Sequence, residues 1–140
     1  MTAAAPDAPA VPEGWKALRL GGMWDSLGPV LAQRGEAGWR YALATGPVHA
    51  NPLGVIHGGV VMALLDHTMT LVAFDAAGRV PCVTVQMDTR FFASARPGEL
   101  LVSTPVLRHS TNSMLFMTAD LCADGRVVAE GTATLKRLRA

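Results

Sequence analysis

The chain is 140 residues long, with 12 basic and 11 acidic residues and a formal charge of +1. Half of it is apolar, only 16% is charged, and the mean hydropathy is +0.28. This composition excludes a wholly disordered chain and carries no basic field of the kind that marks a nucleic-acid binder.

A chain of this size buries roughly 70% of its unfolded surface. With so few polar residues to cover the rest, it is expected to hide an apolar face in a homo-oligomer. In chain order, residues 1–12 form an Ala/Pro-rich stretch with no Lys or Arg before Lys16 and no long apolar run. This reads as a disordered tail rather than a targeting segment or an anchor. Residues 13–140 read as a single domain. Trp15 and Leu18 suit a short amphipathic helix over Glu13–Leu20, stopped at Gly21 and Gly22. Two extended segments follow, near Pro29–Arg34 and Trp39–Thr45, turned at Gly35–Gly38.

The longest apolar segment opens at His57, Gly58 and Gly59 and runs to about Ala77, where Gly78 stops it. Leu64, Leu65, Thr68, Leu71, Val72 and Asp75 fit a helical period with a wide buried stripe. Asp66 and His67 interrupt the apolar run of this helix, so no membrane span is expected. After Pro81 the pattern alternates, with Val83, Val85 and Met87 on one side and Thr84, Gln86 and Asp88 on the other. Three further strands are expected near Glu99–His109, Ser113–Ala123 and Arg126–Leu138, the last two joined by an Asp124-Gly125 hairpin turn. One long helix, a short leading helix and about six strands, the last four in a meander, make an α+β fold in which the helix covers one sheet face. Cys82 and Cys122 show no paired metal-type spacing and read as free thiols in a reducing, cytoplasmic compartment.

The stretch from Asn51 to Asp66 carries the chemistry. Glycines at a loop-to-helix junction let the backbone approach a ligand, and the first helical turn leaves N–H groups unpaired. Those N–H groups and the positive end of the helix dipole suit an anion or a carbonyl developing negative charge. Asp66 lies about two and a half turns into the helix, sharing a face with Met62, Ala63, Met69 and Thr70. A carboxylate in that setting is expected to be desolvated and sharpened as a base or nucleophile. It reads equally as a satisfied structural acid. His57 alone reads as a helix cap, His67 as structural or exposed, and Asn51-Pro52 as a turn. His49 and His109 sit in unconnected segments, and no metal spacing links any pair of histidines.

The pattern Asn51-x-x-Gly54-x-x-His57-Gly58-Gly59, followed by the helix bearing Asp66, resembles the hotdog-fold acyl-CoA thioesterases of the phenylacetic-acid-degradation type, within the 4-hydroxybenzoyl-CoA thioesterase-like superfamily. Pro81–Gly98 is similar to that family's strand after the helix, and Val128–Thr134 to its last strand. The likeness runs from about Trp24 to Leu138. It implies a long helix wrapped by a curved antiparallel sheet, and a homodimer that often pairs into a tetramer, with the active site at the dimer interface. It further implies that the backbone N–H at Gly58 or Gly59 polarises a thioester carbonyl, helped by Asn51 and His57. Asp66 of the partner subunit would serve as nucleophile or general base, with Thr84 supporting the attacking water.

Thioester hydrolysis also needs an apolar acyl pocket, to which Met62, Leu65, Met69 and Phe91 are assigned. The expected substrate is an aryl- or medium-chain acyl-CoA, hydrolysed with no metal or organic cofactor, coenzyme A being part of the substrate. One departure concerns the turn over residues 108–113, where many relatives carry a Gly-plus-basic signature that contacts coenzyme A phosphates. Here it reads Arg108-His-Ser-Thr-Asn-Ser113. Arg108 or Arg90 would take over that contact, or each is a solvated surface charge. Other readings are a thioesterase for carrier-protein-bound acyl groups, a hydratase, and a non-catalytic acyl-CoA-binding protein.

Overall fold

A computed structural model describes residues 10–139. The expectation of a disordered tail falls largely on residues 1–9, outside the described residues. The elements in chain order are β1 (Lys16–Leu18), α1 (Trp24–Leu27), β2 (Val30–Gly35), β3 (Gly38–Ala44), α2 (Gly58–Ala76), β4 (Cys82–Phe91), β5 (Leu100–Ser110), β6 (Met114–Ala123) and β7 (Arg126–Arg137). The seven strands form one sheet in the order β1-β2-β3-β5-β6-β7-β4, and every pairing is antiparallel.

The sheet packs around α2, which touches β3, β4, β5, β6 and β7. Leu64, Leu65, Met69 and Ala73 of the helix are fully buried against Leu101, Leu115, Leu121 and Leu135 of the strands. By length and composition α2 is apolar enough to cross a bilayer, yet its apolar stripe is spent on the sheet. Within this core Thr68 Oγ1 and Ser103 Oγ satisfy each other at 2.7 Å. The β6–β7 hairpin turns at Asp124 and Gly125, whose φ values of 49° and 75° are the left-handed pair that a tight two-residue turn requires.

Four expectations are corrected. Glu13–Leu20 is not helical: Lys16–Leu18 pairs with Ala32–Val30 as a seventh strand, because two apolar residues set no helical period and the edge of β2 offers backbone partners. The short helix comes after the glycines, at Trp24–Leu27. Asp75 leaves the buried stripe and faces solvent, 3.7 Å from Arg79. The alternation in β4 is broken by a bulge between Thr84, opposite Leu135, and Gln86, opposite Thr134. Leu135 is buried towards the helix, so Thr84 points inward while Gln86 takes the opposite face.

Candidate active site

The loop before α2 is tied together by Asn51. Its Oδ1 accepts the backbone N–H of Leu53 at 3.0 Å and of Val55 at 3.3 Å. Two donors on the oxygen orient the amide, leaving Nδ2 as the free donor end. His57 caps the helix: its Nδ1 accepts the Gly59 N–H at 2.8 Å. The acceptor role of Nδ1 places the ring proton on Nε2. The same cap separates the two glycines. The Gly59 N–H is committed to His57, whereas among the described residues no hydrogen bond takes the Gly58 N–H. The Phe91 ring lies over Gly58, with its Cζ 3.4 Å from where a Gly58 Cβ would stand.

Halfway along α2, Asp66 accepts a hydrogen bond from Thr84 Oγ1 at 2.5 Å. The bulge in β4 aims this hydroxyl at the helix. Asp66 is only half-buried, and Met62 on its face is exposed. The expected desolvated surround is therefore not completed by one chain. Next to it, His67 accepts the indole N–H of Trp24 at 2.9 Å. Burial pulls the His67 pKa below its ordinary value of 6.5, and the Asp66 charge opposes that shift. This is the structural role that the sequence favours for His67. His49 is buried, with Nδ1 accepting from the Gly46 N–H at 2.9 Å and Nε2 2.5 Å from the Leu27 carbonyl oxygen.

A cavity of about 310 Å³ opens beside Gly58, lined by Ile56, Val61, Phe91, Phe92, Ala95 and Val128 among others. Of the four residues assigned to an acyl pocket, Phe91 alone reaches it. Leu65 and Met69 are instead core residues pressed against β7, each 3.4 Å from the position of a Gly131 Cβ. They occupy the face of α2 that the sheet covers, so the helical spacing that suggested a pocket marks the core. Arg90 is also corrected: it pairs with Glu130 directly across β4 and β7, which draws its charge away from a phosphate role. Arg108 is exposed and lines a separate cavity with Gln86, Phe116 and Thr134.

Sequence reasoning missed Phe92, Ala95 and Val128 in the cavity wall. Their one available signal was adjacency to Phe91 and to the terminal strand. The Trp24–His67 bond had none, since 43 residues separate the pair. Cys82 and Cys122 are free, and burial pushes both thiols up in pKa, the opposite of what a thiolate nucleophile needs. Among the described residues, no three His, Cys, Asp or Glu side chains converge as a metal site.

Similarity to known proteins bears on this arrangement. Residues 53–130 match the family model described as the thioesterase superfamily. The chain is 30% identical over 88 residues to human acyl-coenzyme A thioesterase 13, a match covering 61% of this chain and 63% of the human protein's length. A Bacillus halodurans protein solved with CoA superposes with a TM-score of 0.72 at 24% identity, covering 78% of this chain and 74% of that one. A phenylacetic acid degradation-related protein from Ralstonia eutropha JMP134 gives 0.73 at 23% identity, covering 85% and 92%. These structures share the fold, one long helix held in an antiparallel sheet. With more than half of its length matched by the family model, this hotdog-fold chain belongs to the thioesterase superfamily.

Proposed function

We propose that the protein is an acyl-CoA thioesterase that hydrolyses aryl- or medium-chain acyl-CoA to the free acid and coenzyme A. It would work as a homodimer that pairs further into a tetramer, with water as the only co-substrate. The observation that carries this reading is the placement of two reactive groups on one helix. The Gly58 N–H and the Asp66 carboxylate are ~12 Å apart along the axis of α2. A carbonyl polarised by one must stand within about 3–3.5 Å of the group that attacks it. One copy therefore cannot use both on the same thioester, and an antiparallel second copy supplies the missing half.

The free edge of β4 supports that arrangement. Val83 and Val85 are 45% and 58% exposed there, an edge that natural proteins seldom leave uncovered. A second copy over this edge would also cover Met62 and complete the desolvation of Asp66.

In this scheme the Gly58 N–H and Asn51 Nδ2 hold the thioester oxygen, and His57 orders the helix start by holding Gly59. Asp66 of the partner subunit takes a proton from water as the water oxygen adds to the carbonyl carbon. The tetrahedral intermediate then collapses, the C–S bond breaks, and the thiolate leaves and is protonated. Alternatively the Asp66 oxygen attacks first and water cleaves the resulting anhydride. Thr84 holds the carboxylate in place in either case. The cavity beside Gly58 suits an acyl group of aryl or medium-chain size. The naming of the human relative and the CoA in the Bacillus halodurans structure support the substrate class. The two free thiols support a cytoplasmic setting.

Free-thiol release from a panel of acyl-CoAs, wild type beside Asp66→Asn, tests the reading. Turnover that collapses in a folded variant is the expected result. Saturable binding with no thiol release from any member would overturn it and leave an acyl-CoA-binding protein. Single turnover in heavy-oxygen water separates the two routes, because direct attack puts an enzyme oxygen into the first acid released.

A further inference from the structure

The short helix α1 is hydrogen-bonded towards both reactive ends of α2. At its first residue, the Trp24 indole N–H donates to His67, the neighbour of Asp66. At its last residue, the Leu27 carbonyl oxygen lies 2.5 Å from His49 Nε2. His49 in turn accepts the His57 backbone N–H on its own carbonyl oxygen at 2.8 Å. Since His57 caps α2 through Gly59, a continuous run of hydrogen bonds leads from α1 to the helix start where the Gly58 N–H is open. Asn51, the other donor assigned to the thioester oxygen, stands two residues after His49 on the same loop.

The His49 ring is 3% exposed, too deep to touch a ligand. Its Nδ1 accepts the Gly46 N–H at 2.9 Å, so the ring proton sits on Nε2 and points at Leu27. The His49 backbone N–H is used as well, on the Gly46 carbonyl at 3.0 Å. With both ring nitrogens and both backbone groups paired, the ring cannot turn without stranding a buried polar group. The Gly46 bonds are local and close the single turn over Pro47–His49. The Leu27 bond spans 22 residues and sets where that turn sits against α1.

A reacting group misplaced by about 1 Å can lose a hundredfold in rate, so the seating of this loop matters to chemistry as well as to stability. We propose that His49 is a positioning residue for thioester hydrolysis: through its Nε2–H bond to Leu27 it holds the Asn51–His57 loop, and with it the Asn51 and Gly58 donors, against α1. This rests on the thioesterase reading above and adds to it a residue that touches no substrate atom.

Two substitutions separate the two ring bonds. In His49→Asn the short amide can accept the Gly46 N–H from the Nδ1 position but does not reach Leu27. In His49→Gln the longer amide places an N–H donor where Nε2 stood. Steady-state hydrolysis of benzoyl-CoA and octanoyl-CoA, with thermal melting and the amide NMR spectrum of each full chain, tests the assignment. His49→Asn should lower kcat by about ten- to a hundredfold with KM little changed, because the donors act on the transition state. His49→Gln should restore most of that loss. The Gly58 and Gly59 amide signals should move in His49→Asn and return towards their wild-type positions in His49→Gln. Should His49→Asn not fold, Trp24→Phe releases the other end of α1 with His49 in place, and it should lower kcat and move the same signals.

A folded His49→Asn with wild-type kcat would overturn the proposal, and so, in its absence, would a Trp24→Phe with wild-type kcat. Equal kcat losses in the Asn and Gln variants would assign the effect to the Gly46 turn and remove the Leu27 bond from it. A raised KM at unchanged kcat would equally sink a role in the transition state. The amide spectra need no turnover, so the two readings fail separately. Moved Gly58 signals in a protein that hydrolyses neither thioester would keep the hold of His49 on the loop and remove hydrolysis.

Discussion

Thr84 Oγ1 donates to Asp66 Oδ1 at 2.5 Å, joining the edge strand β4 to the middle of α2 across 18 residues of chain. A hydroxyl bonded to a carboxylate fixes which oxygen is presented and at what angle. Asp66→Asn is expected to lower turnover by about a hundredfold or more, the scale of a lost general base. Thr84→Val, which keeps shape and removes the donor, should cost about tenfold, and Thr84→Ser should restore most of it. Steady-state thiol release on acyl-CoA checks all three. Unchanged kcat in Thr84→Val would remove the hydroxyl from the machinery.

The His57 cap makes a separate, thermodynamic prediction. Losing a side-chain acceptor at a helix N-cap costs about 1 kcal/mol. His57→Ala should therefore unfold at lower urea than wild type with an unchanged slope, while His57→Asn, which can accept the Gly59 N–H, should lose less. Equal midpoints for Ala and Asn would show that the 2.8 Å contact contributes nothing to stability.

Inside the core, Thr68 and Ser103 are each other's hydroxyl partners and both are fully buried. Thr68→Val alone strands the Ser103 hydroxyl and should destabilise by about 1–3 kcal/mol. Replacing both, Thr68→Val with Ser103→Ala, removes the unsatisfied group, so the double variant should cost less than the sum of the singles. A double-mutant cycle from urea unfolding measures that coupling.

His67 predicts how stability responds to acid. Burial, opposed by the Asp66 charge, holds its folded pKa below the ordinary 6.5. The unfolded chain therefore binds its proton first as pH falls. The stability held by neutral His67 is full above about 6.5 and is lost progressively as pH falls towards the folded value. His67→Gln should flatten this dependence around and just below pH 6.5. Trp24→Phe, which removes the N–H donor to Nδ1, should lower stability at neutral pH. Thermal melts across that range decide it, and identical slopes for wild type and His67→Gln would exclude His67 as the titrating group.

Much of the architecture was legible in the residues. The span of α2 follows from an apolar run with helical spacing between Gly58 and Gly78, and the β6–β7 hairpin from Asp124-Gly125. The site was legible in part. Asn51, His57, Gly58 and Asp66 stand in one short segment, so local chemistry could single them out. The acyl-pocket assignment fared worse, because Leu65 and Met69 have the same spacing whether a helix face meets ligand or sheet. Arg90 looked like a free cation until the register placed Glu130 opposite it.

Local features follow from the residues themselves: where backbone periodicity is helical or extended, where the chain turns, and that an unpaired helix start precedes an acid by about two turns. These depend on neighbours a few residues apart, whose geometry the chain cannot change. Tertiary structure decided what depends on distant partners. It set the bulge that turns Thr84 towards Asp66, left β4 at an exposed edge, and committed the Gly59 N–H to His57 while leaving that of Gly58 open. Strand register is chosen by which apolar faces meet across long loops, and a one-residue slip would send every side chain of a strand to the other face.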